Sequence, residues 1–96
     1  MKKLVRKIKA IFGIYEENVI YKVKLQDIVI PIDFQLKHPK VSKVLYKRDF
    51  YERNGHFPSS IILTKDHKLL DGYINYLILK EKNVKYAEVQ FAKELK

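Results

Sequence analysis

The sequence predicts an α+β fold of about four strands and two or three helices, and three observations carry that expectation. The chain has 96 residues, the size of one domain. Stretches with strand-like alternation interleave with stretches of helical periodicity, in the order helix, strand, helix, strand-turn-strand, helix, strand. Short polar or Gly/Pro-containing segments separate them, with no repeats, linkers or low-complexity tracts. A chain of this size buries roughly 60–65% of its unfolded surface, so the core is small and leaves no room for a separate catalytic domain.

Residues 1–14 are expected to form a basic amphipathic helix. Leu4, Val5, Ile8, Ile11 and Phe12 recur at helical spacing, lysines occupy the other face, and Gly13 can end it. Its alternatives are a terminal helix docked on the domain, an arm on nucleic acid, or a helix lying on a membrane surface. Residues 19–25 alternate, with Val19, Tyr21, Val23 and Leu25 on one side and Lys22 and Lys24 on the other, as in a half-buried strand. Asp27 begins a turn, and Ile28 to Ile30 form a short extended segment that Pro31 ends.

The segment from Asp33 to Lys40 reads as a loop, with Pro39 keeping His38 out of helical conformation. After it comes the strongest helix pattern, residues 41–53. Ser42 can cap it, Val44, Leu45, Phe50 and Tyr51 can share an inner face, and Asn54-Gly55 is a stop. Residues 60–70 read as a hairpin: a strand from Ser60 to Thr64, a polar turn from Lys65 to Lys68, and a return through Leu69-Leu70. Residues 73–82 predict a helix with Asn83 as a left-handed cap, and residues 86–91 a last strand.

The net charge is +9, and five basic residues lie in the first nine positions: Lys2, Lys3, Arg6, Lys7 and Lys9. Without that segment, 15 basic residues face 11 acidic ones, or +4. Such a surface attracts polyanions, and these five are the candidate nucleic-acid contacts; a solubilising surface is the plainer reading. The absence of cysteine excludes disulfides, thiolate metal sites and a cysteine nucleophile. His38, His56 and His67 are scattered without metal-ligand spacing, so no metal site is expected. The apolar runs are too short to span a bilayer, and Arg6, Lys7 and Lys9 interrupt any secretory signal, which points to the cytoplasm.

The most informative stretch is Leu69-Leu70-Asp71-Gly72-Tyr73-Ile74-Asn75-Tyr76. A strand runs into Asp-Gly and a helix starts at once. The first amides of that helix lack intrahelical partners and carry partial positive charge, so an anion can sit there. Asp71 can cap the helix by accepting from the amide of residue 73 or 74, or it can bind a metal or hydroxyl. Tyr73 could stack on a base beside the turn or simply pack with its hydroxyl outward, while Tyr21 and Tyr46 fit inward faces. Lys40, Lys43 and Lys47 share a helical face, with Arg48 beside them; they could reach an anion at Gly72 or form a solvated lysine row. Asp49 and Glu52 are placed to pair with Arg48, Arg53 or Lys43.

The arrangement from residue 19 to about 91 resembles the ParB-like and sulfiredoxin-like superfamily. Pro58 and Ile61 to Leu63 match its Pro-containing strand, Leu69 to Gly72 its apolar-apolar-Asp-Gly segment, Tyr73 to Lys82 its helix, and Val84 to Phe91 its final strand. "VKLQDIVIP" resembles its opening strand, and "HPK" stands where the family often has Asn-Pro-Arg. The resemblance implies a small mixed sheet over residues 19–92 and a nucleotide-phosphate site at the Asp-Gly turn. Its site residues here would be Asp71, Gly72, Tyr73, Asn75, Lys40, Lys43, Lys47 and Arg48.

The chain departs from the family at one point. The positions that the family fills with His-Arg or Arg-Arg are Ile74 and Asn75. Ile cannot donate a hydrogen bond, and Asn offers no charge-assisted one, which is roughly twice as strong. The family's sulfiredoxin cysteine is also missing, which excludes sulfinic acid reduction. The expected function is therefore binding of nucleic acid, a nucleotide or another phosphate-bearing ligand without the usual nucleotide hydrolysis. The alternatives are a small metal-dependent nuclease or nucleotide-dependent phosphotransferase using Asp71, and a protein-interaction module of a mobile element.

Overall fold

A computed structural model describes residues 19–92. The proposed helix over residues 1–14 and its basic residues Lys2, Lys3, Arg6, Lys7 and Lys9 lie outside the described residues.

Strand β1 spans Tyr21–Lys24 and passes into a single 3-10 turn, Leu25–Asp27. A short helix α1 covers Ile32–Gln35, and α2 runs from Val41 to Asn54. The hairpin strands are β2, Ile61–Leu63, and β3, Leu69–Asp71. Helix α3 occupies Tyr73–Glu81 and β4 Tyr86–Phe91. The strands make one mixed sheet in the order β1-β4-β2-β3. β1 is antiparallel to β4, β2 is antiparallel to β3, and β2 is parallel to β4, with Ile61 opposite Val89 and Leu63 opposite Phe91.

That topology follows from short-range chemistry. The Thr64–Lys68 turn closes through Thr64 N–H to the Lys68 carbonyl at 2.8 Å and Lys68 N–H to Thr64 Oγ1 at 3.1 Å, with His67 in left-handed conformation (φ 66°). This sends β3 back beside β2. Helix α3 then carries the chain past β2 to its other side, so that β4 enters parallel to β2 through the long connection that a parallel pair needs. Alternation along β4 turns Ala87, Val89 and Phe91 into the core, where Val23, Ile61, Leu63, Leu69 and Leu79 meet them. Val29 covers the outer side of β3, giving its N–H to the His67 carbonyl at 2.8 Å and accepting from Leu69 N–H at 2.9 Å. No helix among the described residues is long and apolar enough to cross a membrane.

Three local expectations are corrected. The first strand is shorter than residues 19–25, because Leu25 and Ile28 turn inward through the 3-10 turn. The segment read as a loop begins with α1: Pro31 stands at its start, where a missing N–H costs nothing, and Gln35 Nε2 donates to the Ile30 carbonyl at 3.0 Å. Ser42 lies inside α2, whose N-cap position is Lys40 with no side-chain cap. The far end is as the sequence indicates. Gly55 is left-handed (φ 76°), with its N–H on the Tyr51 carbonyl at 2.8 Å.

Helix α2 buries no residue fully; Leu45 is 55% exposed and Tyr46 60% exposed, so neither belongs to an inner face. It is joined to α3 by Arg48 to Glu81 at 2.7 Å and Lys82 to Glu52 at 3.0 Å, while Arg53 pairs with Asp49 within the helix at 3.1 Å. Tyr21 does face inward, edge-on to Phe91 with ring centroids 5.5 Å apart.

Candidate functional site

The Asp71–Gly72 corner is built by steric necessity. Gly72 is the N-cap of α3 and adopts φ 94°, ψ 26°, a conformation that L side chains rarely take. A Cβ at this position would lie 2.8 Å from Ile61 Cα. The missing side chain therefore lets the turn close on β2, so that the glycine is accounted for by packing before any ligand is considered. Asp71 Oδ1 accepts from the Gly72 N–H at 2.9 Å. That bond holds the turn in place of the expected cap on residue 73 or 74. It also occupies the amide of Gly72 itself.

Beyond the corner lies an open groove of about 600 Å³ between α3 and the α1–α2 segment. Asp71, Gly72 and Tyr73 line it on one side, and Lys40, Lys43 and Lys47 on the other. Six of the eight residues expected at the site thus meet in one place. Lys40, Lys43 and Lys47 come together because Pro39 breaks the chain just before α2, and the spacing of three and four puts all of them on one helical stripe. Lys37 and His38, which precede that break, also line the groove. The sequence reads both as loop residues; their position in or next to the "HPK" segment is the available signal. Among the described residues, none of these four lysines has an ion-pair partner. Tyr73 is half-buried, with its ring against Phe34 at 5.5 Å and Tyr76 at 6.3 Å, and so forms part of the groove wall.

The other two expected residues are elsewhere. Arg48 does not line the groove; its guanidinium is on Glu81 at 2.7 Å. Asn75 is 1% exposed and gives Nδ2 to the Ser59 carbonyl at 2.7 Å. Helical spacing explains the second case: residues 75, 78 and 79 share one face, and Ile78 and Leu79 are core residues. Ile74 does line the groove, and its side chain has only carbon to offer there. Among the described residues, no group of three or more His, Asp or Glu side chains is placed to hold a metal ion.

No protein-family model matches the sequence, and no curated protein matches it with significance. Solved structures do match the fold. A pNOB8-like ParB N-domain superposes with a TM-score of 0.63 at 18% identity, covering 76% of this chain and 26% of that one. The C2221 form of a Pnob8-like ParB-N domain gives a TM-score of 0.63 at 16% identity, over 76% of this chain and 29% of that one. This chain thus spans less than a third of the ParB chains it matches. Sulfiredoxin from Arabidopsis thaliana gives a TM-score of 0.64 at 16% identity, over 79% of this chain and 86% of that one. The chain has the fold that ParB N-domains and sulfiredoxin share.

Proposed function

We propose that this ParB/sulfiredoxin-like domain binds phosphate groups of a nucleic acid or nucleotide in the lysine-lined groove, and does so without hydrolysing them. The observation that carries the reading is the convergence of Lys37, Lys40, Lys43 and Lys47 on the N-terminus of α3, with no ion-pair partner for any of them among the described residues. The free amides of the first turn and the ammonium groups act on the same oxygens, the former by direction and the latter by charge. Asp71 opposes them electrostatically and serves the turn. The superfamily that the sequence resembles has its phosphate site at the corresponding turn, which supports the reading. Here ammonium groups from α2 replace the cation that Ile74 and Asn75 do not provide. Binding by such point charges is tolerant of sequence and sensitive to salt.

The test is a titration of a labelled single-stranded oligonucleotide over a range of salt concentrations. Removing Lys40, Lys43 and Lys47 together is expected to reduce the salt slope of log K by about 2, at roughly 0.7 per phosphate contact on a single strand. An unchanged slope in the triple alanine variant overturns the reading, because the affinity then resides outside the groove.

A further inference from the structure

Tyr46 fits an inward helix face by the sequence, yet the structure leaves it 60% exposed on the wall of the lysine groove. The fold does not use its ring as core: α2 turns Tyr51 onto the hydrophobic cluster instead. Its place along α2 is specific. Tyr46 stands in i, i+3 relation to Lys43 and next to Lys47, so it borders the lysine stripe on the helix surface. Phe50, one turn further on, lies against the Tyr46 ring with centroids 6.2 Å apart, and meets the exposed His56 ring at 5.6 Å. A cationic stripe of Lys40, Lys43 and Lys47 and an aromatic stripe of Tyr46 and Phe50 therefore run side by side along one helix.

That pairing narrows the ligand. Lys40 to Lys47 covers about 10 Å of helix, at 1.5 Å per residue, against about 3.4 Å between successive phosphates along one strand of a duplex. The row is long enough to pass several consecutive phosphates. An exposed ring beside such a row can take the face of a base, the arrangement by which single strands are held without sequence preference. In a duplex the base faces are stacked on one another and closed off, whereas in a single strand they are free. Tyr73, the other tyrosine of the groove, is half-buried with its ring against Phe34 and Tyr76, which leaves Tyr46 as the more open platform.

We propose that the groove takes single-stranded nucleic acid, with phosphates along Lys40, Lys43 and Lys47 and a base stacked on Tyr46. The proposal rests on phosphate binding in the groove and goes beyond it in the class of ligand: a strand with unpaired bases, in preference to a duplex or to phosphate alone. Stacking of this kind reads no sequence, since every base has a π-face.

The experiment is fluorescence anisotropy of the full chain at low salt, with probes of about ten nucleotides. They are an oligodeoxyuridylate, an oligouridylate, an abasic deoxyribose-phosphate oligomer of the same length, and a duplex; inorganic triphosphate is added as a competitor. Both uridylates are expected to bind at least about fivefold tighter than the abasic oligomer, the lower end of what one base–aromatic stack contributes, and tighter than the duplex. The uridylates differ in the 2′-hydroxyl, so the tighter of them tells DNA from RNA, and either order supports the proposal. Tyr46→Ala, at an exposed position, should keep the fold, bring both uridylates down to the level of the abasic oligomer, and leave the abasic oligomer and triphosphate unaffected. Tyr46→Phe, which keeps the ring, should bind as the wild type does. Equal binding of the abasic oligomer, binding of the duplex as tight as that of the uridylates, or undiminished binding by Tyr46→Ala overturns the single-strand assignment and leaves phosphate binding standing. Failure of both the abasic oligomer and triphosphate to bind is the separate failure of phosphate binding, and the proposal falls with it.

Discussion

Gly72 and Gly55 are both left-handed, but they differ in what surrounds them. A methyl group at Gly72 would meet Ile61 Cα at 2.8 Å, whereas nothing lies within 4 Å of one at Gly55. Gly72→Ala should therefore combine backbone strain of about 1–3 kcal/mol with a clash against β2. The expected result is a melting midpoint lower by at least about 5 °C, read by circular dichroism. Gly55→Asn should stay close to wild type, because Asn tolerates this conformation. Asp71 makes a second prediction. Asn at position 71 keeps an oxygen for the Gly72 amide and removes a negative charge from the groove. Asp71→Asn should tighten oligonucleotide binding roughly fivefold at low salt, the effect of about 1 kcal/mol for one charge near 4 Å in water; weaker binding would instead make the carboxylate a ligand contact. The Asp-Gly turn was legible in the sequence because the residue types state the conformation. The burial of Asn75 was legible as well, through its spacing from Ile78 and Leu79, but the resemblance to a phosphate box drew the residue into the wrong face.

At the level of elements, α2 is the least conventional piece. It carries the lysines yet buries none of its residues fully, and two exposed or half-exposed ion pairs tie it to α3. Such pairs contribute about 0–1 kcal/mol each. Arg48→Met should accordingly lower stability by less than about 1 kcal/mol and leave phosphate binding unchanged, since Arg48 does not line the groove. Loss of oligonucleotide affinity in that variant, measured by the same titration, would place the guanidinium at the ligand after all. The ends of α2 were readable from Pro39 and Asn54-Gly55. Its inner face was not, because its apolar residues spread around the axis and periodicity alone does not say which of them meet a neighbour. Helix α1 escaped notice for a related reason: Pro31 both ends an extended segment and starts a helix, and four residues are too few to show a period.

Over the whole molecule, α3 borders two separate concavities. The N-terminal turn faces the lysines, while the buried face of the helix borders a second one, lined by Asn75, Leu79 and Glu88. The interleaving of strands and helices was plain in the sequence, whereas the parallel pairing of β2 with β4 was not, since a register across a long connection leaves no local mark. The resemblance to the superfamily implied the mixed sheet, and the shared fold with ParB N-domains and sulfiredoxin agrees with it. The measurement that bears most directly on phosphate binding is an NMR titration of the chain with inorganic triphosphate. Saturable shifts at the backbone amides of Tyr73 and Ile74, together with the side-chain signals of Lys40, Lys43 and Lys47, are the predicted result. Shifts confined to other parts of the chain, or none at low salt, would contradict it.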